Sequence, residues 1–191
     1  YLAGQWQWPG WWYYYLYGLS VKLPLGVTAA AILVAVLRFP KMLSRDEWIL
    51  CLPAIALLIT LSVQTGINRH VRYAFPVLPV LFIWSSCITS LRFNAAIRHA
   101  GWFLLSVSAL SSLATYPHNL SYFNELAGGV RGGTFHLSNS NIDWGQDLLF
   151  LKSWFKHNLR KNEKVYIAYY GTTPPAALGF RYELPATASE L

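Results

Sequence analysis

Trp48 to Gln64 reads WILCLPAIALLITLSVQ, a stretch without one charged side chain. About 20 apolar helical residues cross the hydrocarbon of a bilayer, so this run is close to a complete span. Pro53 in its middle argues against a soluble helix but is tolerated in a packed membrane helix. Three further runs surround it. Lys22 to Phe39 has no charge after Lys22 until Arg38. Tyr73 to Leu91 reads YAFPVLPVLFIWSSCITSL, and His99 to Thr115 reads HAGWFLLSVSALSSLAT. Together they predict an α-helical integral membrane protein with four transmembrane helices between residues 22 and 115.

Composition agrees with that reading. Of the 191 residues, 54% are hydrophobic and 12% charged, about half the charged share of a soluble domain. The chain begins at Tyr1 and its one methionine is Met42, so the sequence reads as part of a longer protein. The net charge of +7 is confined to one half. Residues 1–115 hold eight of the 15 bases and two acids, Asp46 and Glu47, while residues 116–191 are nearly balanced. Bases at the ends of apolar runs orient helices and meet lipid headgroups. A nucleic-acid surface would instead need a basic, solvated domain, so nucleic acid is excluded as a partner. Arg38, Lys41, Arg45, Arg92 and Arg98 sit in two connections on one side, against Arg69 and Arg72 on the other. That asymmetry makes the first side cytoplasmic and turns the amino end, the 65–72 loop and the tail outward.

Residues 1–21 carry QWQWPGWWYYYLYG, Gln5 to Gly18. Trp and Tyr concentrate where a ring can be apolar at one end and wet at the other. The segment therefore reads as an interfacial aromatic helix, with a sugar-stacking platform as the alternative. Residues 116–191 read as a small extracytoplasmic α/β tail. Trp144, Leu148, Leu151 and Phe155 share one helical face that ends near His157, and Lys164–Gly171 (KVYIAYYG) has the character of a buried strand.

Several polar groups could carry chemistry. Asn68–Tyr73 (NRHVRY) places Arg69, His70 and Arg72 before a proline-containing span. Guanidinium forks match phosphate oxygens, although arginines there can also simply reach headgroups. In SNIDWGQDL, Asp143 followed by Gln146 fits a capping box for a helix starting at Trp144, with Asp147 in its first turn. Asn124 and Glu125 lie just beyond the last apolar run, where Glu125 is expected to be solvated or paired with Arg131. Asn124, Glu125, Asn141, Asp143, Gln146 and Asp147 thus form a polar set whose role is acceptor contact or structure. The glycine pairs 128–129 and 132–133 lack the ending of a phosphate-binding loop and read as turns. No G-x-S-x-G, H-E-x-x-H or C-x-x-C occurs, and the two cysteines, Cys51 and Cys87, lie in apolar runs with no metal-site spacing.

Taken together, WWYYYLYGLSVKLPLG (11–26), RHVRYAFPVLPVLF (69–82) and YPHNLSYFNELAGG (116–129) with SNIDWGQDLLFLKSW (140–154) resemble a known pattern. The chain is similar to the carboxy-terminal part of lipid-carrier-dependent membrane glycosyltransferases of GT-C architecture. These form the protein O-mannosyltransferase and aminoarabinose transferase superfamily. The resemblance implies sugar transfer from a polyprenyl-phosphate donor on the outward face of the membrane, in a multi-pass protein of the bacterial inner membrane. It places the catalytic carboxylate in an amino-terminal region that precedes these residues, so no catalytic residue is expected in this chain. It makes Arg69, His70, Arg72 and Tyr73 the donor-phosphate residues. A lipid-linked sugar and membrane lipids are the implied partners, with the acceptor open. No cofactor is firmly implied, and a divalent metal stays open. The other reading of the chain is a non-catalytic, membrane-anchored module that binds a glycan or a protein partner.

Overall fold

The computed structural model describes every residue except 39–43, 68–69, 91–92, 160–162, 168, 170–172, 180–181 and 184–191. The chain is mostly helical and divides into two compact units, Tyr1–Ile142 and Asp143–Leu191.

In the first unit, α1 (Tyr14–Lys22) and α2 (Leu25–Arg38) meet at a bend of 116°. The cause is Pro24, which cannot donate a backbone hydrogen bond and holds Leu23 extended (ψ 141°). The last carbonyls of α1 are therefore released and need other donors. Asn124 supplies them: its Nδ2 donates to Ser20 O (2.6 Å) and Leu23 O (3.0 Å), and its backbone N–H donates to Val21 O (2.9 Å).

The helix α3 (Arg45–Val63) opens with a reciprocal cap, in which Glu47 N–H donates to Ser44 Oγ and Ser44 N–H donates to the Glu47 carboxylate. Arg38 at the end of α2 pairs with the same Glu47. A 3-10 turn, Val71–Val77, runs into α4 (Leu78–Ser86) and a further short turn to Thr89. After that comes α5 (Ala95–Ala114), capped by the Asn94 side chain on Ile97 N–H. Helices α2, α4 and α5 pack around Ala30, Val34 and Ile88. Small residues set how closely they approach. A side chain at Gly26 would meet Leu104 O at 2.1 Å, and one at Gly101 would meet Ile88 at 2.5 Å.

Arg45–Val63 and Val71–Thr89 are long and apolar enough to cross a membrane, and α1 with α2 makes a third if the bent pair is one span. The expected count was four. The run from His99 is helical in α5, but Arg98, His99 and the serines at 106, 108, 111 and 112 dilute its apolarity. Only 11% of the first segment and 28% of the second is buried within the chain, so Ile49, Ile55, Ile59, Phe75 and Ile83 face outward. Such a surface is stable only against lipid or another apolar face.

The aromatic segment is not uniform. Trp6, Trp8 and Trp12 are largely exposed, as an interfacial belt requires, whereas Tyr14 and Tyr15 are fully buried. These tyrosines join Leu19, Val71, Ala74, Phe123 and Leu137 in one core. The chain from Tyr116 to Ile142 thus belongs to the first unit. Within it, α6 (Gly129–His136) contains Gly132 and Gly133, so that pair is not a turn, while Gly128 and Gly129 both have positive φ where the chain enters the helix. Within the helix, position 133 requires glycine, because the Phe123 ring occupies the space of a side chain, 2.3 Å from where a Cβ would be.

In the second unit, α7 (Leu148–Asn158) begins four residues later than the expected start at Trp144. Among the described residues there is no strand. Tyr166 and Glu183 form an isolated parallel bridge, with Ile167 N–H donating to Glu183 O and Glu183 N–H to Val165 O. Part of the expected 164–171 strand lies outside the described residues.

Candidate functional site

The segment His70–Tyr73 enters the Val71–Thr89 helical run and is fixed from behind by Asn141. Val71 N–H would otherwise be a buried donor at the start of the turn; it donates to Asn141 Oδ1 at 2.8 Å. Asn141 Nδ2 donates in turn to the Tyr14 hydroxyl (3.2 Å) and Ser138 O (2.9 Å). Only 6% of Asn141 is exposed. These bonds hold backbone and a core tyrosine, so Asn141 positions the segment from within.

On this support Arg72 is exposed, its guanidinium 5.6 Å from the centre of the Tyr73 ring, a stacking distance for a cation on an aromatic face. Tyr73 is 42% exposed. His70 is half-buried, with Nδ1 hydrogen-bonded to Ser140 Oγ and its ring edge-on to Tyr73 at 5.6 Å. The fourth expected member, Arg69, lies outside the described residues. The arrangement presents a permanent cation over an aromatic ring at the start of an apolar helical run, which suits a phosphate carried on an apolar tail.

The polar set separates into parts with different work. Asn124 is 1% exposed and caps the bend, as described above. Glu125 is exposed and accepts from Ser111 Oγ, which also bonds the Tyr122 hydroxyl at 3.0 Å. Its partner is this serine of α5 and not Arg131, because the 3-10 turn that carries Glu125 lies against the end of α5. Burial, and less strongly the Glu125 charge, push the Tyr122 hydroxyl above its ordinary pKa, against the opposing Ser111 bond.

Asp143, Gln146 and Asp147 belong to the second unit. The expected capping box does not form. Asp143 Oδ1 accepts from Gly145 N–H at 2.8 Å, and Gln146 Oε1 accepts from Trp144 N–H at 2.7 Å. Asp147 stands at the N-cap position of α7 without a side-chain cap bond. Gly145 has φ +97° and lies against the Tyr169 hydroxyl, which would be 2.1 Å from a Cβ there. A tight turn of this kind takes up the Asp143 carboxylate and the Gln146 amide oxygen before the helix starts.

One residue escaped the sequence reading. Lys22 appears in sequence as the polar end of a span, yet its ammonium donates to Leu120 O (2.8 Å) and Asn141 O (2.5 Å) and lies 4.0 Å over the Phe123 ring. It ties α1 to the 116–142 segment. The only signal was a lone lysine directly before Leu-Pro. Among the described residues, no group of three or more His, Cys, Asp or Glu comes together as a metal site.

Comparison of the chain with protein families, curated proteins and solved structures gives no match.

Proposed function

We propose that this chain is the carboxy-terminal part of an integral-membrane glycosyltransferase that takes a sugar from a polyprenyl-phosphate donor at the outward membrane face. The observation that carries the reading is the exposed Arg72 guanidinium on Tyr73, held at the mouth of the apolar Val71–Thr89 segment by the Asn141–Val71 bond. The motifs quoted above support it by resemblance. In the full architecture α2 and α5 are two further spans of a four-helix bundle. The paired residues around 166 and 183 begin a small sheet in an outward α/β tail.

In the reaction an acceptor oxygen attacks the anomeric carbon and the bond from that carbon to the donor phosphate breaks. The electron pair leaves with the polyprenyl phosphate, and the acceptor proton goes to a carboxylate supplied by the region preceding this chain. Arg72, with Arg69, neutralises the donor and the negative charge that grows on the leaving phosphate. His70 and Tyr73 orient the head group beside them.

The test is direct. The natural full-length protein, reconstituted in liposomes with a panel of polyprenyl-phosphate sugars, is expected to release polyprenyl phosphate and label an acceptor on its outward side. Failure to turn over any such donor would contradict the reading.

A further inference from the structure

A second site lies at the same end of the first unit. Trp6, Trp8 and Trp11 line a cavity of about 310 Å³ together with Gln7, Ser138 and Asn139. This is near the small end of ligand pockets, which hold roughly 300–1,000 Å³. Its walls are held. Leu2 is buried, Ala3 N–H donates to His136 O at 3.0 Å, and the Tyr1 hydroxyl donates to Thr134 O at 2.9 Å. Tyr1 in turn meets the Trp6 ring edge-on at 5.1 Å. Trp6 and Trp8 nevertheless remain 79% and 77% exposed, a large apolar area left in water by a fold that buries Tyr14 and Tyr15 nearby.

Three features define what would fit. The rings give flat apolar faces. The Gln7 amide and Asn139 Nδ2 make no hydrogen bond to another described residue, while Asn139 Oδ1 is held by Ser140 N–H at 2.9 Å. Among the described residues, no Asp, Glu, Lys, Arg or His side chain lines the cavity. A ligand with an apolar face, an edge of hydroxyls or amides and no charge meets all three conditions, and a pyranose ring has that form: its axial C–H bonds pack on an indole while its hydroxyls reach the amides. A phosphate or carboxylate would find no counter-charge among the described lining side chains. Thr65 and Gly66 line the same cavity and precede His70 by only a few residues.

We propose that the Trp6–Trp8–Trp11 cavity with Gln7 and Asn139 is a binding subsite for an uncharged saccharide ring. Resting on the transferase reading, this ring belongs to the acceptor, which is then a neutral glycan.

The experiment uses the full-length protein in nanodiscs and saturation-transfer NMR with methyl glycosides of neutral hexoses and N-acetylhexosamines, and with a hexuronic acid for comparison. The neutral glycosides are expected to receive saturation on their ring C–H protons and the uronate much less. Trp6→Ala with Trp8→Ala should weaken binding by about tenfold or more, and Asn139→Ala by a smaller factor. Trp12→Ala should leave binding unchanged, because Trp12 is 64% exposed but lies outside this cavity. Circular dichroism checks that the variants fold, which the exposure of both rings favours. Binding that survives the double substitution, or that Trp12→Ala reduces equally, overturns the subsite and leaves the tryptophans as an interfacial belt. In transfer assays the double variant should raise the acceptor KM about tenfold with the donor KM unchanged. Saccharide binding that depends on Trp6 and Trp8 in a protein that transfers no sugar would retain the subsite and remove the transferase reading.

Discussion

The Asn141 side chain and the Val71 backbone N–H, 70 positions apart, meet at 2.8 Å in the interior of the first unit. This bond joins the polar SNSN stretch to the start of the Arg72-bearing turn, and the Asn141 amide carries the connection onward to the Tyr14 hydroxyl. Replacing Asn141 by Ala leaves the Val71 N–H buried without its acceptor. A loss of about 2–3 kcal/mol in stability is expected. Asn141→Asp keeps the acceptor but loses both Nδ2 donations, and should be destabilised as well. Thermal unfolding of the detergent-solubilised protein checks both; an unchanged midpoint for Asn141→Ala would show that the bond is dispensable.

The contact of α2 with α5 depends on the missing side chain of Gly26, since the Leu104 carbonyl is backbone and cannot turn aside. Gly26→Ala must separate the helices, at a cost of about 2 kcal/mol. Gly66→Ala, where a Cβ would meet nothing within 4 Å, provides the control. A lowered unfolding midpoint for the first and a near-normal one for the second is the expected pattern.

In the second unit Lys164 and Glu183 pair at 2.9 Å. The hydrogen bond from Lys164 holds the Glu183 carboxyl below its ordinary pKa. A carboxyl depressed in the folded state adds stability above its unfolded pKa, and that contribution is lost as pH falls through the folded value. Both groups are well exposed, so the effect on unfolding is slight. Carboxyl NMR titration should find Glu183 titrating lower than an ordinary glutamate, and Lys164→Ala should return it upward. A Glu183 titration indifferent to Lys164 would show that the pair does not persist in solution.

The helices were legible wherever apolarity is unbroken. Arg45–Val63 and Val71–Thr89 follow directly from their composition, and the S-x-x-E signature at Ser44–Glu47 is written in the sequence, though basic neighbours make it read as a plain cytoplasmic connection. The bend at Pro24 is local, but the residue that stabilises it is not. Asn124 bonds Ser20 and Leu23 across more than a hundred positions, and no sequence window joins such partners. For the same reason Asn124 and Asn141, which read as candidate ligand groups, are internal braces. The DWGQD stretch reads in sequence as a helix cap, whereas the structure makes it a tight turn. The turn prevails because Gly145 adopts positive φ and the Asp143 carboxylate is taken up by Gly145 N–H before the helix begins. Arg72 and Tyr73 drew attention through the resemblance of RHVRYAFPVLPVLF to a family pattern, because arginines before a span can equally reach headgroups; the stacking of the guanidinium on the ring was not legible in the sequence.

The most direct measurement is donor turnover by full-length Arg72→Ala beside Arg72→Lys, at matched abundance in the membrane. A cation that neutralises the leaving phosphate predicts a loss of about 100-fold in sugar transfer for the alanine variant. Arg72→Lys should recover part of that loss, because it keeps the charge without the bidentate fork. Turnover and donor KM unchanged in Arg72→Ala would contradict the account.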